Sequence, residues 1–261
     1  MTKILIVEGN SGEIIRTKHE NGLKIGSDKY HEAMALYTPD TEFDVSIPFE
    51  PDMQNNEIRI EDYNAFALTG SGVDWSSRDK EAKPYLDHVE KILATGKPVI
   101  GSCWGMQTVV QILGGNCGPN ENGTEVGLAE DIRLSAEGRA HWIFEGMPDS
   151  FPSPCVHRDH VAHLPECFDL LAGNSVSPVQ AACYNREDID FVGFQFHPEF
   201  DLDYVQSMRQ SAEILPGTHK IIANFPDNPP EIVSNAGLRT RVVSNWISHV
   251  QNKKAASGIA A

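Results

Sequence analysis

Cys103 lies between Gly101 and Gly105 in the segment IGSCWGMQTVVQILGG, residues 100–115. An apolar run precedes it and apolar residues at helical spacing follow it, so the pattern predicts a strand, a sharp turn and a helix. The two glycines permit such a turn. We expect the turn to raise the thiol above a sheet edge, at a helix N-terminus that lowers the thiol pKa. The segment predicts a nucleophilic cysteine, although a buried cysteine in a tight turn fits the same pattern.

A histidine and a carboxylate follow an apolar segment in FVGFQFHPEF, residues 191–200. The alternating apolar residues predict a strand, so that His197 leaves its end and Glu199 projects on the same side. A thiolate nucleophile needs a base to take its proton, and that base needs a group to orient it. With Cys103 upstream, the sequence therefore predicts a Cys103, His197 and Glu199 triad.

Short apolar runs predict the strands that must position these residues. In the first half they alternate with helical patterns, most clearly within residues 79–96, and the candidate strands are residues 3–7, 43–49, 65–70 and 98–100. This alternation is typical of βαβ units with a parallel sheet. From about residue 125 to 200 the runs shorten and turn residues separate them, which indicates hairpins and a mixed sheet. The first half therefore predicts an α/β fold, and the second half adds antiparallel strands.

The part of the chain beyond residue 200 carries weaker patterns. A helix is expected just after residue 201, then a polar stretch with prolines, then a final amphipathic helix near residues 240–250. Residues 251–261 show no helical or strand pattern, so we expect them to form a disordered tail. We expect a single domain over residues 1–250.

Composition excludes several classes of partner. The 261 residues include 37 acidic and 21 basic side chains, and the formal net charge is -16. Nucleic acids and anionic membranes both favour basic surfaces, so we expect no nucleic-acid and no membrane partner. No segment approaches the roughly 18 continuous apolar residues of a membrane span. Five widely spaced cysteines favour reduced thiols, so we expect a cytoplasmic protein.

Two motifs together resemble one family. The pattern G-x-C-x-G-x-Q, which ends at Gln107, and the H-P-E of residues 197–199 resemble the class I (triad) glutamine amidotransferases over about residues 3–205. The chain is similar to stand-alone relatives of the GMP synthetase glutaminase domain. The resemblance implies a flavodoxin-like three-layer sandwich, with a central mixed, mostly parallel sheet and helices on both faces. Residues 206–250 then form a C-terminal helical extension.

The resemblance also implies roles in the cleavage of an amide. Cys103 would attack the side-chain amide of glutamine, ammonia would leave, and water would hydrolyse the γ-glutamyl thioester to glutamate. His197 would be the general acid and base, and Glu199 would orient it. The backbone N–H groups of Ser71 and Trp104 would form the oxyanion hole.

Other residues of the resemblance concern the substrate. Gly70 lies in the turn before Ser71, and Gln107 corresponds to a residue that contacts glutamine, although on a helix it could equally be a buried cap. The segment with His157, Arg158 and Asp159 resembles the strand and loop that engage the amino-acid end of glutamine. We expect these residues to bind the substrate.

No metal or cofactor is expected. His157, His160 and His163 recur at a spacing of three, but the neighbouring residues do not complete a recognisable ligand set. No G-x-x-x-x-G-K-[ST] loop is present, so the chain has no visible nucleotide site.

The sequence leaves several functions open. The chain could hydrolyse γ-glutamyl amines or peptides by itself, or it could be a glutaminase subunit that delivers ammonia to a separate synthetase. A binding or regulatory module on the same fold would not need the triad. Another group of proteins has a cysteine in the same kind of strand-to-helix turn. Those proteins place a histidine directly after the cysteine, whereas here Trp104 follows, which counts against that group. The sequence does not determine the leaving amine or the oligomeric state.

Overall fold

The computed structural model describes residues 2–53, 57–186, 188–210 and 220–259. Within these ranges the strands are β1 (Thr2–Val7), β2 (Thr41–Ser46), β3 (Ala65–Leu68), β4 (Pro98–Ser102), β5 (Asn116–Pro119), β6 (Thr124–Leu134), β7 (Ser150–His157), β8 (Asp159–His163), β9 (Asp169–Gly173), β10 (Ala181–Arg186), β11 (Ile189–Phe194) and β12 (Ile221–Asn224). The helices are α1 (Gly12–Glu20), α2 (Gly26–Ala35), α3 (Lys83–Leu93), α4 (Trp104–Ile112), α5 (Ala136–Ala140), α6 (Leu202–Gln210), α7 (Glu231–Ser234), α8 (Ala236–Arg239) and α9 (Arg241–Ile259).

The described strands form a ten-stranded sheet in the order β12-β6-β9-β10-β11-β4-β3-β1-β2, with β7 also paired to β6. The pairs β11·β4, β4·β3, β3·β1, β1·β2 and β12·β6 are parallel. The pairs β6·β7, β6·β9, β9·β10 and β10·β11 are antiparallel, and β5 and β8 form a small separate sheet. The predicted mixed, mostly parallel sheet is confirmed.

Alternate residues of the central strands enter two different cores. In β1, Ile4 and Ile6 pack with Met34 of α2 and Trp246 of α9, whereas Leu5 and Val7 face the opposite side of the sheet, where α3 and α4 pack. Both faces of a parallel sheet are therefore covered, as the apolar runs of the first half predict. This is the expected three-layer arrangement of helices on both faces of one sheet.

The strand register brings four strand ends together. Val7 of β1 pairs with Leu68 of β3, Leu68 pairs with Gly101 of β4, and Ser102 pairs with Phe194 of β11. Because these strands are parallel, the loops that follow them leave the same edge of the sheet. Residues that are far apart in sequence therefore meet there.

The prediction of a disordered tail over residues 251–261 was wrong for the described part of that segment. Helix α9 continues from Arg241 to Ile259, while residues 260–261 lie outside the described ranges. The helix is anchored by Trp246 in the core, and each further turn adds backbone hydrogen bonds to an existing nucleus. Lys253 also pairs with Asp190 at 3.1 Å. Tertiary anchoring, which a local pattern does not reveal, explains the difference.

None of the helices in the described ranges is long and apolar enough to cross a membrane. The extension that begins near residue 206 does not stand apart from the core, since Val243, Trp246 and Val250 of α9 are buried in the main apolar cluster. Residues 211–219 of that extension lie outside the described part of the chain.

Candidate active site

Cys103 occupies the sharp turn between β4 and α4. Its backbone has φ 51° and ψ −108°, a region that non-glycine residues rarely adopt and that costs about 1–3 kcal/mol. The N–H of Cys103 donates to the carbonyl oxygen of Phe194 at 2.6 Å, and its own carbonyl accepts from the N–H of Gln107 at 3.0 Å. These bonds hold the strained turn and place the thiol at the carboxyl edge of the sheet.

The glycines on either side of Cys103 are required by close packing. A Cβ on Gly105 would lie 2.4 Å from the carbonyl oxygen of Leu68, and one on Gly101 would lie 2.8 Å from the carbonyl carbon of Gly105. A larger residue at either position would push α4 away from the strands. The G-x-C-x-G spacing therefore reflects the contact between helix and sheet.

His197 and Glu199 form a buried pair beside this turn. His197 Nδ1 and Glu199 Oε1 are 2.7 Å apart, and the imidazole stacks on the ring of Phe200 with centroids 4.1 Å apart. His197 Nε2 has no hydrogen-bond partner among the described residues. A Cβ on Gly70 would lie 2.6 Å from His197 Cε1 and 3.5 Å from Cys103 Cβ. The imidazole and the cysteine therefore border the same small space.

A second hydrogen-bonded layer lies behind Glu199, and sequence reasoning missed it. Ser102 Oγ donates to Glu199 Oε2 at 3.0 Å, and the hydroxyl of Tyr30 bonds to Ser102 Oγ. Burial and the Glu199 carboxylate raise the pKa of Tyr30 well above its usual range. Tyr30 therefore stays protonated, so that it can donate to Ser102 while Ser102 donates to the carboxylate. The one indication of this layer in the sequence was the position of Ser102, which directly precedes Cys103.

The resting state of the thiol differs from the expectation. The pKa of the Cys103 thiol is raised to about 12, chiefly by burial; the Glu199 and Asp159 carboxylates also act to raise it, while the Trp104 N–H hydrogen bond to sulfur acts to lower it. The expected lowering by the helix N-terminus is outweighed because the thiol is only 6% exposed. A thiol with so high a pKa needs a neighbouring base to remove its proton.

The turn after β3 carries Gly70 and Ser71, and residues after β1 hold it. Gly72 N–H donates to Asn10 Oδ1 at 2.8 Å, and Asn10 Nδ2 donates to Glu8 Oε1 at 2.6 Å. The sequence analysis did not predict these hydrogen bonds. Glu8 and Asn10 could have been recognised as candidates, because they are polar residues that directly follow a predicted strand. The network fixes the turn whose Ser71 N–H is the predicted oxyanion donor.

The segment from His157 to Asp159 is held by its own side chains. His157 Nε2 lies 2.9 Å from Glu125 Oε2, and its Nδ1 lies 3.1 Å from the carbonyl oxygen of Asp159. Arg158 Nε donates to Asp159 Oδ1 at 2.8 Å. Gln107 Nε2 donates to the carbonyl oxygen of Asp159 at 2.9 Å. Gln107 and His157 therefore position this segment, which leaves their direct contact with a substrate a prediction.

The structure brings nearly all the predicted site residues to one pocket. Those that line it are Gly70, Ser71, Cys103, Trp104, Gln107, His157, Arg158, Asp159 and His197, while Glu199 lies behind His197. The lining residues that the prediction did not include contain several large side chains, among them Lys18, Trp75, Phe200, Tyr204 and Met208. No group of three or more His, Cys, Asp or Glu residues in the described ranges is arranged to hold a metal ion.

Comparisons with known proteins point to one family. The family model described as glutamine amidotransferase class-I matches residues 38–208. The gamma-glutamyl-L-1-hydroxyisopropylamide hydrolase of a Pseudomonas species is 27% identical over 222 residues, 82% of this chain and 73% of that protein. A glutamine-hydrolyzing GMP synthase subunit from Methanosphaera stadtmanae is 31% identical over 136 residues, 52% of this chain and 67% of that protein. The chain spans about a quarter of the length of the GMP synthases that it also matches.

A crystal structure of a glutamine amidotransferase from Thermotoga maritima has the same fold. It aligns with a TM-score of 0.64 over 95% of this chain and 97% of that one, at 16% identity. The expected flavodoxin-like architecture is thereby confirmed. Since the family model also covers well over half of the sequence, this chain belongs to the class-I glutamine amidotransferase family.

Proposed function

We propose that this protein is a cysteine hydrolase that cleaves the γ-glutamyl amide bond of a γ-glutamyl amine or peptide, or of glutamine. The observation that carries the proposal is the state of His197, whose Nδ1 is bound to Glu199 while its Nε2 has no partner among the described residues and borders Cys103. A base with one nitrogen oriented and the other available is what nucleophilic catalysis by a thiol requires.

The proposed first step forms a thioester. His197 Nε2 takes the thiol proton as the Cys103 sulfur attacks the γ-carbonyl carbon, and the carbonyl oxygen becomes an oxyanion. The N–H groups of Trp104 and Ser71 stabilise that oxyanion. The tetrahedral intermediate then collapses, the carbon–nitrogen bond breaks, and the imidazolium gives its proton to the leaving nitrogen. A γ-glutamyl thioester remains on Cys103.

The second step restores the enzyme. Water takes the place of the amine, gives a proton to His197 Nε2 and attacks the thioester carbon. Collapse breaks the carbon–sulfur bond, and the proton returns to the thiolate. Glutamate leaves. Neither step needs a metal or another cofactor.

The buried environment gives Glu199 a specific role in these steps. Because burial raises the pKa of the Cys103 thiol to about 12, a thiolate without a nearby cation is unfavourable. A thiolate that forms together with an imidazolium is favoured by their attraction, and Glu199 at 2.7 Å stabilises the imidazolium in turn. We assign Glu199 to orientation and charge stabilisation.

The glutamyl part of the substrate is assigned to the side of the pocket that holds the segment 157–159. Arg158 and Asp159 supply opposite charges for the α-carboxylate and the α-amino group, and Gln107 and His157 keep their backbone in place. Gly70 leaves room for the reacting carbonyl between the thiol and the imidazole. These residues form the proposed binding site for the part that all γ-glutamyl substrates share.

A wall of larger side chains supports a substituted amine, rather than ammonia, as the leaving group. Phe200, Tyr204 and Met208 line the pocket beyond His197, and ammonia would have no use for such contacts. The Pseudomonas relative, which matches over most of both chains, is named for the hydrolysis of a γ-glutamyl amide of a substituted amine. We therefore favour a stand-alone hydrolase.

A second candidate is a glutaminase subunit that supplies ammonia to a separate synthetase. It is supported by the similarity to a protein that is named as one subunit of a GMP synthase. In that case the chemistry at Cys103 is unchanged, and glutamine is the substrate.

Glutamate release from purified protein separates these candidates. The substrates are glutamine, a γ-glutamyl alkylamide, a γ-glutamyl anilide and a γ-glutamyl dipeptide, each assayed alone. We expect faster release from a substituted amide than from glutamine. Slow release from every substituted amide, with fast release from glutamine, would favour the glutaminase subunit.

The nucleophile is tested by mass spectrometry with a diazoketone analogue of glutamine. We expect one covalent adduct on Cys103, and no adduct or turnover in Cys103→Ser. His197→Asn should be similarly severe, and Glu199→Gln should lose less, because orientation partly survives without the charge. A protein that forms no adduct and releases no glutamate would be a binding or regulatory module, and the enzyme proposal would be wrong.

A further inference from the structure

Lys18 of α1 is a buried cation in the wall of the active-site pocket. Only 8% of the surface of Lys18 is exposed to solvent, and burial lowers the pKa of its ammonium group. Nζ donates to the hydroxyl oxygen of Tyr204 at 3.2 Å and lies 3.9 Å from Met208 Sδ. Among the residues that the structure describes, no carboxylate lies within ion-pair distance of Nζ, and Glu8 and Asp28 act on it only from farther away. A buried cation without a paired anion is unusual, because removal of its water is not compensated.

Lys29 lies near the same tyrosine ring as Lys18, but its positive charge is paired with carboxylates. The ammonium groups of Lys18 and Lys29 lie 5.5 Å and 5.2 Å from the centroid of the Tyr204 ring. Lys29 Nζ pairs with Asp201 at 2.8 Å and with Glu32 at 3.3 Å, and it does not line the pocket. In the described part of the chain, Lys29 outside the pocket is therefore paired with carboxylates, whereas Lys18 inside the pocket is not.

The position of Lys18 relative to the triad indicates which part of a substrate it meets. The ring of His197 stacks on Phe200, and the Tyr204 ring meets Phe200 edge-on with centroids 4.7 Å apart. Lys18 lies beyond Tyr204 in this row. His197 must deliver a proton to the leaving nitrogen, and Phe200, Tyr204 and Lys18 line the same pocket, so this row is where the rest of a leaving amine would extend.

The opposite side of the pocket already has groups for the glutamyl part. Arg158 and Asp159 provide a cation and an anion there. A second carboxylate receptor on the His197 side is therefore not needed for glutamine or for a simple alkylamide. It would be useful only for a leaving amine that carries its own negative charge.

We propose that Lys18 binds a carboxylate on the leaving amine, so that the preferred substrates are γ-glutamyl amino acids or γ-glutamyl peptides. The inference rests on the proposed hydrolysis at Cys103. A carboxylate would supply the anion that Lys18 lacks among the described residues, and a charge-assisted hydrogen bond in a buried site is stronger than one to a neutral group. The reaction remains a hydrolysis, in which water and the γ-glutamyl amino acid give glutamate and the free amino acid.

Two ligands that differ only in this charge test the assignment, namely γ-glutamylalanine and γ-glutamylalaninamide. Their affinities are measured by calorimetry on the full chain carrying Cys103→Ala, so that no turnover intervenes. We expect the carboxylate to bind about 10-fold more tightly or better. Adding Lys18→Met should reduce this ratio to about one, whereas adding Lys29→Met, the matched control, should preserve it. The ratio of kcat/KM values for the two substrates should follow the same pattern in the active enzyme.

Each alternative has its own result. Equal affinities for the two ligands in the Cys103→Ala protein would overturn the proposal, and this comparison stands even if Lys18→Met does not fold. An equal loss for both ligands in Lys18→Met would assign Lys18 to the glutamyl carboxylate and would also overturn it. A retained charge preference without turnover in the wild-type protein would refute the proposed hydrolysis but support carboxylate binding by Lys18.

Discussion

A methyl group added at Gly70 tests whether catalysis depends on the space that the imidazole and the thiol share. The Cβ of Gly70→Ala would lie 2.6 Å from His197 Cε1, whereas ordinary contacts begin near 3.4 Å. The imidazole must therefore retreat by roughly 1 Å. It cannot retreat freely, because the ring stacks on Phe200 with centroids 4.1 Å apart and Nδ1 lies 2.7 Å from Glu199 Oε1.

A displacement of this size has a large expected effect on rate. A misplacement of about 1 Å in an active site costs on the order of 100-fold. That factor corresponds to about 2.7 kcal/mol in activation free energy. We expect kcat to fall by about this factor, while the overpacking costs about 1–3 kcal/mol in the free energy of unfolding. Gly70 does not have a positive φ, so alanine adds no backbone strain.

The assay measures glutamate release and, independently, the rate at which a glutamine-like diazoketone labels Cys103. Gly237→Ala in α8 is the control, since its added methyl would touch only Asn235 Oδ1 at 3.4 Å. Both rates should fall in Gly70→Ala and stay at the wild-type level in the control. Wild-type rates in a folded Gly70→Ala protein would refute the idea that His197 acts on the thiol across this space.

Three further outcomes are expected. Ser102→Ala removes the donor to Glu199 Oε2, and because a hydrogen bond to a charged group contributes about 1.5–3 kcal/mol, kcat should fall about 10-fold or more and Tm should fall by several degrees; an unchanged kcat would contradict this role of Ser102. Trp246→Ala should lower the free energy of unfolding by about 3–5 kcal/mol in denaturant titrations, and a much smaller loss would mean that α9 is not part of the core. Burial raises the pKa of Cys117 to about 12, so above about pH 9 the unfolded chain binds fewer protons than the folded one and stability falls as the pH rises. Cys117→Ala should flatten that fall between about pH 9 and 12, and an unchanged slope would contradict the assignment.

Local patterns were sufficient for most of the elements. The apolar runs at residues 3–7, 65–70 and 98–100 coincide with β1, β3 and β4, because buried strands of a parallel sheet are apolar on both faces. The glycines around Cys103 likewise predict a tight turn from local chemistry. Helix α9 was only partly predicted, since its last turns follow an anchored segment and carry no pattern of their own.

The groups available for chemistry can be identified from the sequence alone, since a thiol between glycines and a histidine two residues before a carboxylate are local features. The distant groups that support them are known only from the folded chain. The contacts of Tyr30 with Ser102, of Glu125 with His157, and of Lys18 with Tyr204 join residues 32 to 186 positions apart. Such contacts depend on strand order and register, which local periodicity does not specify. Burial is also a property of the whole fold, and it is burial that keeps the Cys103 thiol protonated and holds the Lys18 ammonium away from bulk water.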